Sequence, residues 1–340
     1  MSFERVIGHQ RLIALLARAT ASDSLPPSLL FAGPRGVGKR RVATALAQTL
    51  NCLEPVKGDV FKTDACGHCA ACSRIGRGIH SDVLVLEPDD TGSIKIEQIR
   101  EVVDRAQYRP FEGRRRVVIV DEADAMGFPA QSALLKTLEE PPSASVFVLV
   151  SSTADSLLST VLSRCYRLRF GPLAVEEIVK MLMSDHGRTE PEARALAVDA
   201  DGSLGRALAA DTVDVTEARS DSQKLLVEIA RTSDPEKKLK AIKTYTGIWK
   251  PRMPTSEQRN RLSVRLRILS SLLRDLGVLS AGADRQILAN TDLSAELEQL
   301  TGAYDNDRST RAFGIVDRAL SVLERKASPK NVAAWLVLRI

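Results

Sequence analysis

The sequence predicts an α/β domain with a parallel sheet, followed by a small helical domain and a C-terminal all-α domain. Short apolar segments alternate with helical patterns up to about Phe170, and only helical periodicity follows. Aromatic residues make up 4% of the 340 residues, which disfavours an all-β core. The predicted domains are 1–170, 171–215 and 222–340, and the polar stretch 211–221 is interpreted as a linker.

The elements of the first domain follow from apolar runs and from helical spacing. Strands are predicted at Leu29–Ala32, Val83–Leu86, Val117–Val120 and Val146–Val150. Helices are predicted at about 40–50, 94–107, 131–139 and 154–162, and the third of these is stopped by Pro141-Pro142. Later helices are predicted at 176–185, 190–200, 204–210, 261–279, 311–325 and 331–340. One face of helix 261–279 carries Leu262, Leu266, Leu269, Leu273 and Leu276.

Charge and hydropathy narrow the class of protein. The 48 basic and 43 acidic side chains give a formal net charge of +5, which permits contact with nucleic acid without requiring it. No apolar run approaches the ~18 residues of a membrane span, and the N-terminus lacks a signal-peptide layout. We therefore expect a cytoplasmic protein.

A phosphate-binding loop is predicted directly after the first strand. Residues 33–39 fit the pattern G-x-x-x-x-G-K, and the glycines Gly33, Gly36 and Gly38 let backbone N–H groups point at phosphate oxygens. Lys39 is expected to reach the terminal phosphates of a nucleotide. The alternative is a tight strand-to-helix turn that binds no ligand.

The last position of this motif departs from the pattern. A Ser or Thr hydroxyl normally ligates Mg²⁺ there, but this chain has Arg40. Arginine offers no lone pair to a metal and adds a permanent positive charge. The loop is therefore predicted to suit phosphate but to be impaired for metal-assisted hydrolysis, which leaves the binding of ATP or ADP open.

Two acidic residues end the third predicted strand. In an active nucleotidase, Asp121 would hold Mg²⁺ and Glu122 would activate the attacking water. A strand that ends in solvated acids is the alternative. The order and spacing of the two motifs favour a nucleotide site.

Four of the five cysteines lie close together in the sequence. Cys52, Cys66, Cys69 and Cys72 have the number and spacing of a zinc site, and four thiolates leave no open position for a substrate. We therefore predict a structural zinc ion. An iron–sulfur cluster and free cysteines are the alternatives, and His68 is expected to point away from the metal.

Two arginines are candidates for contact with a phosphate. Arg164 follows the predicted helix 154–162, where an exposed guanidinium would reach a phosphate on another subunit. Arg206 opens a helix of the small domain and would face the nucleotide cleft. An ordinary solvated arginine is the alternative at both positions.

Taken together, these motifs resemble the clamp-loader subunits of the AAA+ family. The resemblance rests on the phosphate loop, the four cysteines, residues 120–124 (VDEAD), residues 134–142 (LLKTLEEPP) and residues 163–165 (SRC), in that order. It is dense from Phe3 to Leu208 and weaker beyond. Because of the altered phosphate loop, the chain resembles the delta-prime class within that family.

The resemblance implies a specific role. It implies an AAA+ domain, a small lid domain and a C-terminal collar in a hetero-pentamer with gamma/tau and delta subunits. It also implies that the chain is a stator without productive ATPase activity, which lends Arg164 in trans to a neighbouring ATP site. The assembled complex would load a sliding clamp onto primed DNA. An ATP-hydrolysing gamma/tau-type motor and a zinc-dependent DNA-binding module are the alternatives.

Overall fold

The computed structural model describes residues 2–57, 63–89, 91–211, 215–232, 234–246, 255–284, 288, 290, 293–324 and 327–340. The chain divides into two compact units, residues 1–207 and 208–340. Among the described residues, every helix is too short or too polar to cross a lipid bilayer. The finer division at residues 170 and 171 stays a prediction.

The first unit is built on a five-stranded parallel sheet. Its strands are β1 (Ser28–Ala32), β2 (Val83–Leu86), β3 (Arg116–Val120), β4 (Ser145–Ser151) and β5 (Tyr166–Arg169), in the spatial order β2-β3-β4-β1-β5. The parallel α/β sheet expected from the sequence is therefore confirmed. Because all strands run the same way, their carboxyl ends meet at one edge, which is where ligands bind in folds of this kind.

Both faces of the sheet are covered by helices, so the central strands β1, β3 and β4 are buried along their whole length and their middle residues are apolar. Along β1, Leu29 and Phe31 face one buried cluster, whereas Leu30 and Ala32 face the other. This explains why the strands appear in the sequence as continuous apolar runs rather than as alternating patterns.

Strand β5 is absent from the sequence prediction. Its four residues are Tyr166, Arg167, Leu168 and Arg169, of which only Leu168 is buried. The strand pairs with β1 alone, so an edge position exposes the other three side chains. A single buried residue gives no apolar run to detect.

The helices of the first unit are α1 (Gln10–Ala21), α2 (Lys39–Asn51), α3 (Ala70–Gly76), α4 (Ile96–Gln107), α5 (Phe128–Glu139), α6 (Ser159–Leu162), α7 (Val175–His186) and α8 (Glu190–Asp199), and α9 (Leu204–Asp211) begins there. Of the helix predicted at 154–162, only α6 and a short 3-10 turn at Ala154–Ser156 form.

The second unit contains only helices among its described residues. They are α10 (Val215–Arg231), α11 (Pro235–Thr246), α12 (Thr255–Ser280), α13 (Ser294–Glu298), α14 (Asn306–Glu324) and α15 (Pro329–Val337). The leucine face predicted for 261–279 is confirmed, since those five leucines are at most 1% exposed in one core cluster. The linker predicted at 211–221 is wrong at residue 211, which ends α9, and from residue 215 onward, where α10 begins and buries Ala218 despite its polar sequence. Residues 212–214 of that prediction lie outside the described residues.

A buried ion pair fixes the starts of β2 and β3. Asp82 is fully buried and accepts hydrogen bonds from Arg116 Nη2 at 2.8 Å and from the backbone N–H groups of Phe111, Glu112 and Gly113. Burial raises the pKa of Asp82, but the guanidinium and the N–H donors outweigh it and hold that pKa far below its usual range.

We predict that Arg116→Ala lowers the free energy of unfolding by ~3–5 kcal/mol, because it leaves a buried carboxylate unpaired. The control Arg115→Ala removes an ion pair with the exposed Asp23 and a hydrogen bond to the carbonyl oxygen of Ser143, and it should cost no more than ~1–2 kcal/mol. Urea denaturation followed by circular dichroism measures both. The Asp82 contribution should be complete above pH ~4 and be lost as the pH falls further. Equal losses for the two variants would contradict this interpretation.

Candidate functional site

The predicted phosphate loop joins β1 to α2 at the carboxyl edge of the sheet. Gly36 and Gly38 have φ angles of +77° and +100°, a region that favours glycine. A Cβ on Gly33 would lie 2.1 Å from the carbonyl oxygen of Phe170. The glycines are therefore required by the backbone geometry, and α2 begins directly at Lys39.

Lys39 lies inside the loop. Its side chain is buried, and Nζ donates hydrogen bonds to the carbonyl oxygens of Gly33 and Pro34, both at 2.6 Å. Burial lowers the pKa of Lys39 to about 8, and the carboxylates of Asp124 and Asp121 oppose that shift. The two loop carbonyls thus accept hydrogen bonds from the buried ammonium group.

Arg40 points to the acids at the edge of the sheet. Its Nη1 lies 3.1 Å from Asp121 Oδ2, and its Nη2 contacts Glu87 Oε1. Asp121 follows β3 and Glu87 follows β2, and the last residues of those strands, Leu86 and Val120, are paired in the sheet. Burial raises the pKa of Asp121, and the charge of Arg40 opposes the shift.

The second acid of the predicted pair also meets an arginine of the loop. Arg35 Nη2 lies 2.7 Å from Glu122 Oε1. Glu122 has a φ angle of +50°, so its backbone turns sharply after β3. The phosphate loop and the two predicted acids are thus brought together by two ion pairs within the chain.

The residues present do not fit Mg²⁺. The metal prefers oxygen ligands in an octahedron, and the Ser or Thr hydroxyl of the motif is one of them. Here Arg40 brings a fixed positive charge to the carboxylate of Asp121, which is the protein group expected to hold the ion. A cation of the chain therefore competes with the metal for the same acid.

Two contacts of the site were not predicted from the sequence. Asp124 accepts hydrogen bonds from the backbone N–H and the hydroxyl of Ser152, both at 3.0 Å, and so joins the ends of β3 and β4. Glu87 was also missed. Its place immediately after a predicted parallel strand was a usable signal, because parallel strands end at one edge.

The start of α9 lies on the phosphate loop. Ser203 Oγ donates to the carbonyl oxygen of Arg35 at 2.8 Å, and the N–H of Gly205 donates to that of Gly36 at 2.9 Å. Arg206, the next residue, has its Nη1 3.7 Å from Asp201 Oδ2. A role of Arg206 in nucleotide binding stays a prediction.

The four predicted metal ligands are brought together between the end of α2 and α3. The sulfur atoms of Cys52, Cys66, Cys69 and Cys72 all lie within 4.8 Å of one another. A tetrahedral zinc site with bonds of ~2.3 Å has sulfur–sulfur distances of about 3.8 Å. The Cys52–Cys66 and Cys52–Cys69 distances are 3.5 and 4.0 Å, so the cluster fits zinc.

Backbone N–H groups point at these sulfur atoms, as in thiolate knuckles. The N–H of Cys66 donates to the sulfur of Cys52 and that of Cys69 to the sulfur of Cys66, both at 3.3 Å. Burial raises the pKa of Cys69, but N–H donors from Cys72 and Leu53 outweigh it and bring that pKa to about 6. Burial raises the pKa of Cys52 and Cys72. His68 is exposed and turns to Cys66 O and Glu54.

Arg164 lies at the surface just after α6. Its Nη1 donates to the carbonyl oxygen of Thr160 at 2.9 Å, and its Nη2 contacts the Glu139 carboxylate at the end of α5. The side chain is 30% exposed. The neighbouring Cys165 is buried, so the turn directs the arginine toward solvent and the cysteine toward the core.

Comparisons with known proteins identify the family. The family model described as DNA polymerase III, delta subunit matches residues 8–174. The delta-prime subunit of DNA polymerase III from Bacillus subtilis is 28% identical over 328 residues, which cover 93% of this chain and 89% of that protein. The chain belongs to the clamp-loader family of AAA+ proteins, and it is of the delta-prime type.

Other clamp-loader relatives match over shorter stretches. The tau subunits from Salmonella typhimurium and Escherichia coli are each 35% identical over 212 residues, or 61% of this chain. The chain spans about a third of their length, 32% in both. The clamp-loader resemblance inferred from the motifs is thus confirmed for the family and for the delta-prime type.

In this clamp-loader protein the α9 contact with the phosphate loop is testable through two glycines. We predict that Gly36→Ala is more destabilising than Gly38→Ala, by about 1–3 kcal/mol. Both residues have positive φ, but only a Cβ on Gly36 meets an atom within 4 Å, the Ser203 hydroxyl at 2.3 Å. Thermal unfolding of the two variants measures the difference. If both lose the same stability, the α9 contact contributes nothing.

Proposed function

We propose that this chain is a non-hydrolysing, delta-prime-type subunit of a clamp loader that serves DNA polymerase III. The observation that carries the proposal is the ion pair between Arg40 and Asp121, at the position where a working ATPase of this kind holds Mg²⁺. Without that metal, no Lewis acid polarises the transferred phosphoryl group, which the side-chain cations of the loop do not replace. The chain then serves as a fixed member of the complex rather than as its motor.

Its partners under this proposal are the gamma/tau and delta subunits of a hetero-pentamer in the cytoplasm. The neighbouring motors would use ATP to open a sliding clamp and place it on primed DNA. Membership of the family and the match to a delta-prime subunit over most of both chains support this assignment. The helices of 222–340 would form the collar that holds the subunits together.

Arg164 would act in trans in that complex. Its guanidinium is partly exposed and lies at a turn, so a phosphate of the adjacent subunit has access to it. Such an arginine stabilises the charge of the transition state. Because Glu139 and the Thr160 carbonyl hold the side chain in the lone subunit, it would exchange Glu139 for the phosphate.

The four cysteines would hold one structural zinc ion. Their sulfur atoms have the separations of a tetrahedral site, and four thiolates leave the ion no position for catalysis. When bound, the ion would fix the segment between α2 and α3. Asp64, in the same segment, accepts hydrogen bonds from the N–H groups of Phe3 and Glu4, so the site would also anchor the first residues of the chain.

Reconstitution with gamma/tau and delta subunits tests the role of Arg164. With Arg164→Ala, the ATP turnover of the adjacent motor site should fall by about 10³-fold, the low end of the effect of such arginines. The complex should still assemble, because the side chain is a surface group. Arg167→Ala, which removes an exposed arginine of β5, is the matched control. Unchanged turnover with Arg164→Ala would refute the role in trans.

Metal analysis tests the zinc site. We predict about one zinc ion per chain, because four thiolates complete one tetrahedral shell. Cys69→Ser should lose the ion and lower the thermal unfolding midpoint, whereas Cys165→Ala should retain it because Cys165 lies outside the cluster. Protein that is purified without chelators and contains no zinc would contradict the assignment.

A further inference from the structure

We propose that the phosphate loop binds the phosphate chain of a nucleotide without a divalent cation, because the guanidinium of Arg40 takes the place of the metal. The inference goes beyond the proposed role as a non-hydrolysing subunit of the clamp loader. It concerns the chain's own loop and holds whether or not Arg164 acts in trans.

The position of the guanidinium supports the inference. Arg40 bridges Asp121 and Glu87, the acids that follow β3 and β2. These acids end two hydrogen-bonded parallel strands, so their carboxylates lie at the edge of the sheet where the phosphate loop opens. This is where a divalent ion would be drawn by charge, and the chain supplies its own cation there.

The loop also brings positive charge of its own to these acids. Arg35 and Arg40 together bring two positive charges, equal to the charge of Mg²⁺, and both extend from the loop to the acids. A guanidinium carries five N–H donors, and the two nitrogens of Arg40 that contact Asp121 and Glu87 leave further donors for an anion. Arginine binds phosphate through two such donors at once.

The two arginines are accessible to a ligand, and the loop lysine lies beside them. The side chains of Arg35 and Arg40 are 44% and 51% exposed, so a ligand reaches them from solvent. Lys39 is buried beside them and bound to two loop carbonyls. Its ammonium group would exchange those carbonyls for phosphate oxygens, and the loop would hold a nucleoside diphosphate or triphosphate through three cations.

Isothermal titration calorimetry of the full chain with ADP tests the proposal, in excess EDTA and in excess magnesium chloride. The dissociation constant should be the same in both solutions within about twofold. No binding in either solution overturns the proposal, and so does binding that magnesium strengthens by about tenfold or more. These outcomes are independent of the proposed role in the clamp loader, which is tested by ATP turnover of the isolated chain and of the reconstituted complex.

Substitutions at Arg40 and at the adjacent Arg41 test whether Arg40 is responsible for the metal-independent binding of ADP. Arg40→Thr restores the hydroxyl of the motif, so ADP binding should weaken by about tenfold in EDTA and recover with magnesium. Arg41→Thr removes the same charge one residue later and should keep the metal-independent binding. If Arg40→Thr binds ADP in EDTA as well as the unaltered chain does, Arg40 has no part in binding. Thermal unfolding checks both folds, and the titration of the unaltered chain decides alone if a variant misfolds.

Discussion

The ion pair between Arg40 and Asp121 is the interaction on which the rest of the site depends. The carboxyl edge of the sheet gathers Glu87, Asp121 and Glu122 beside a loop that is shaped for phosphate. Clustered carboxylates repel one another unless a cation lies among them. In this chain the cations are side chains of the loop itself, so the loop and the acids are joined without a ligand.

A tethered guanidinium is not equivalent to a metal ion. It neutralises charge and donates hydrogen bonds, but it does not act as a Lewis acid on the phosphoryl group. Under the proposed function, the site would therefore keep the elements of recognition, including the glycine loop and the buried Lys39, and would have lost hydrolysis. Recognition and hydrolysis of a nucleotide are thus separable within one architecture, because activity depends on single side chains that the fold positions.

The local features were predictable from the sequence because their signals are local. The four apolar strands, the glycine loop and the cysteine spacing each depend on residues close together along the chain. Contacts between distant residues were not predictable in this way. Ser203 and Arg35 are 168 residues apart, and the pairing of Arg164 with Glu139 joins the turn after α6 to the end of α5. Strand β5 was missed because it is held by backbone pairing with β1, and backbone pairing leaves no pattern in the sequence. Three of its four side chains are exposed, so it has no apolar run.

Steady-state ATP turnover by the isolated chain with Mg²⁺ decides whether Arg40 prevents hydrolysis. We expect its rate to equal that of a Lys39→Ala variant, because the acid that should hold the metal already holds Arg40. Magnesium-dependent turnover that clearly exceeds the background and disappears with Lys39→Ala would show instead that the chain is a motor.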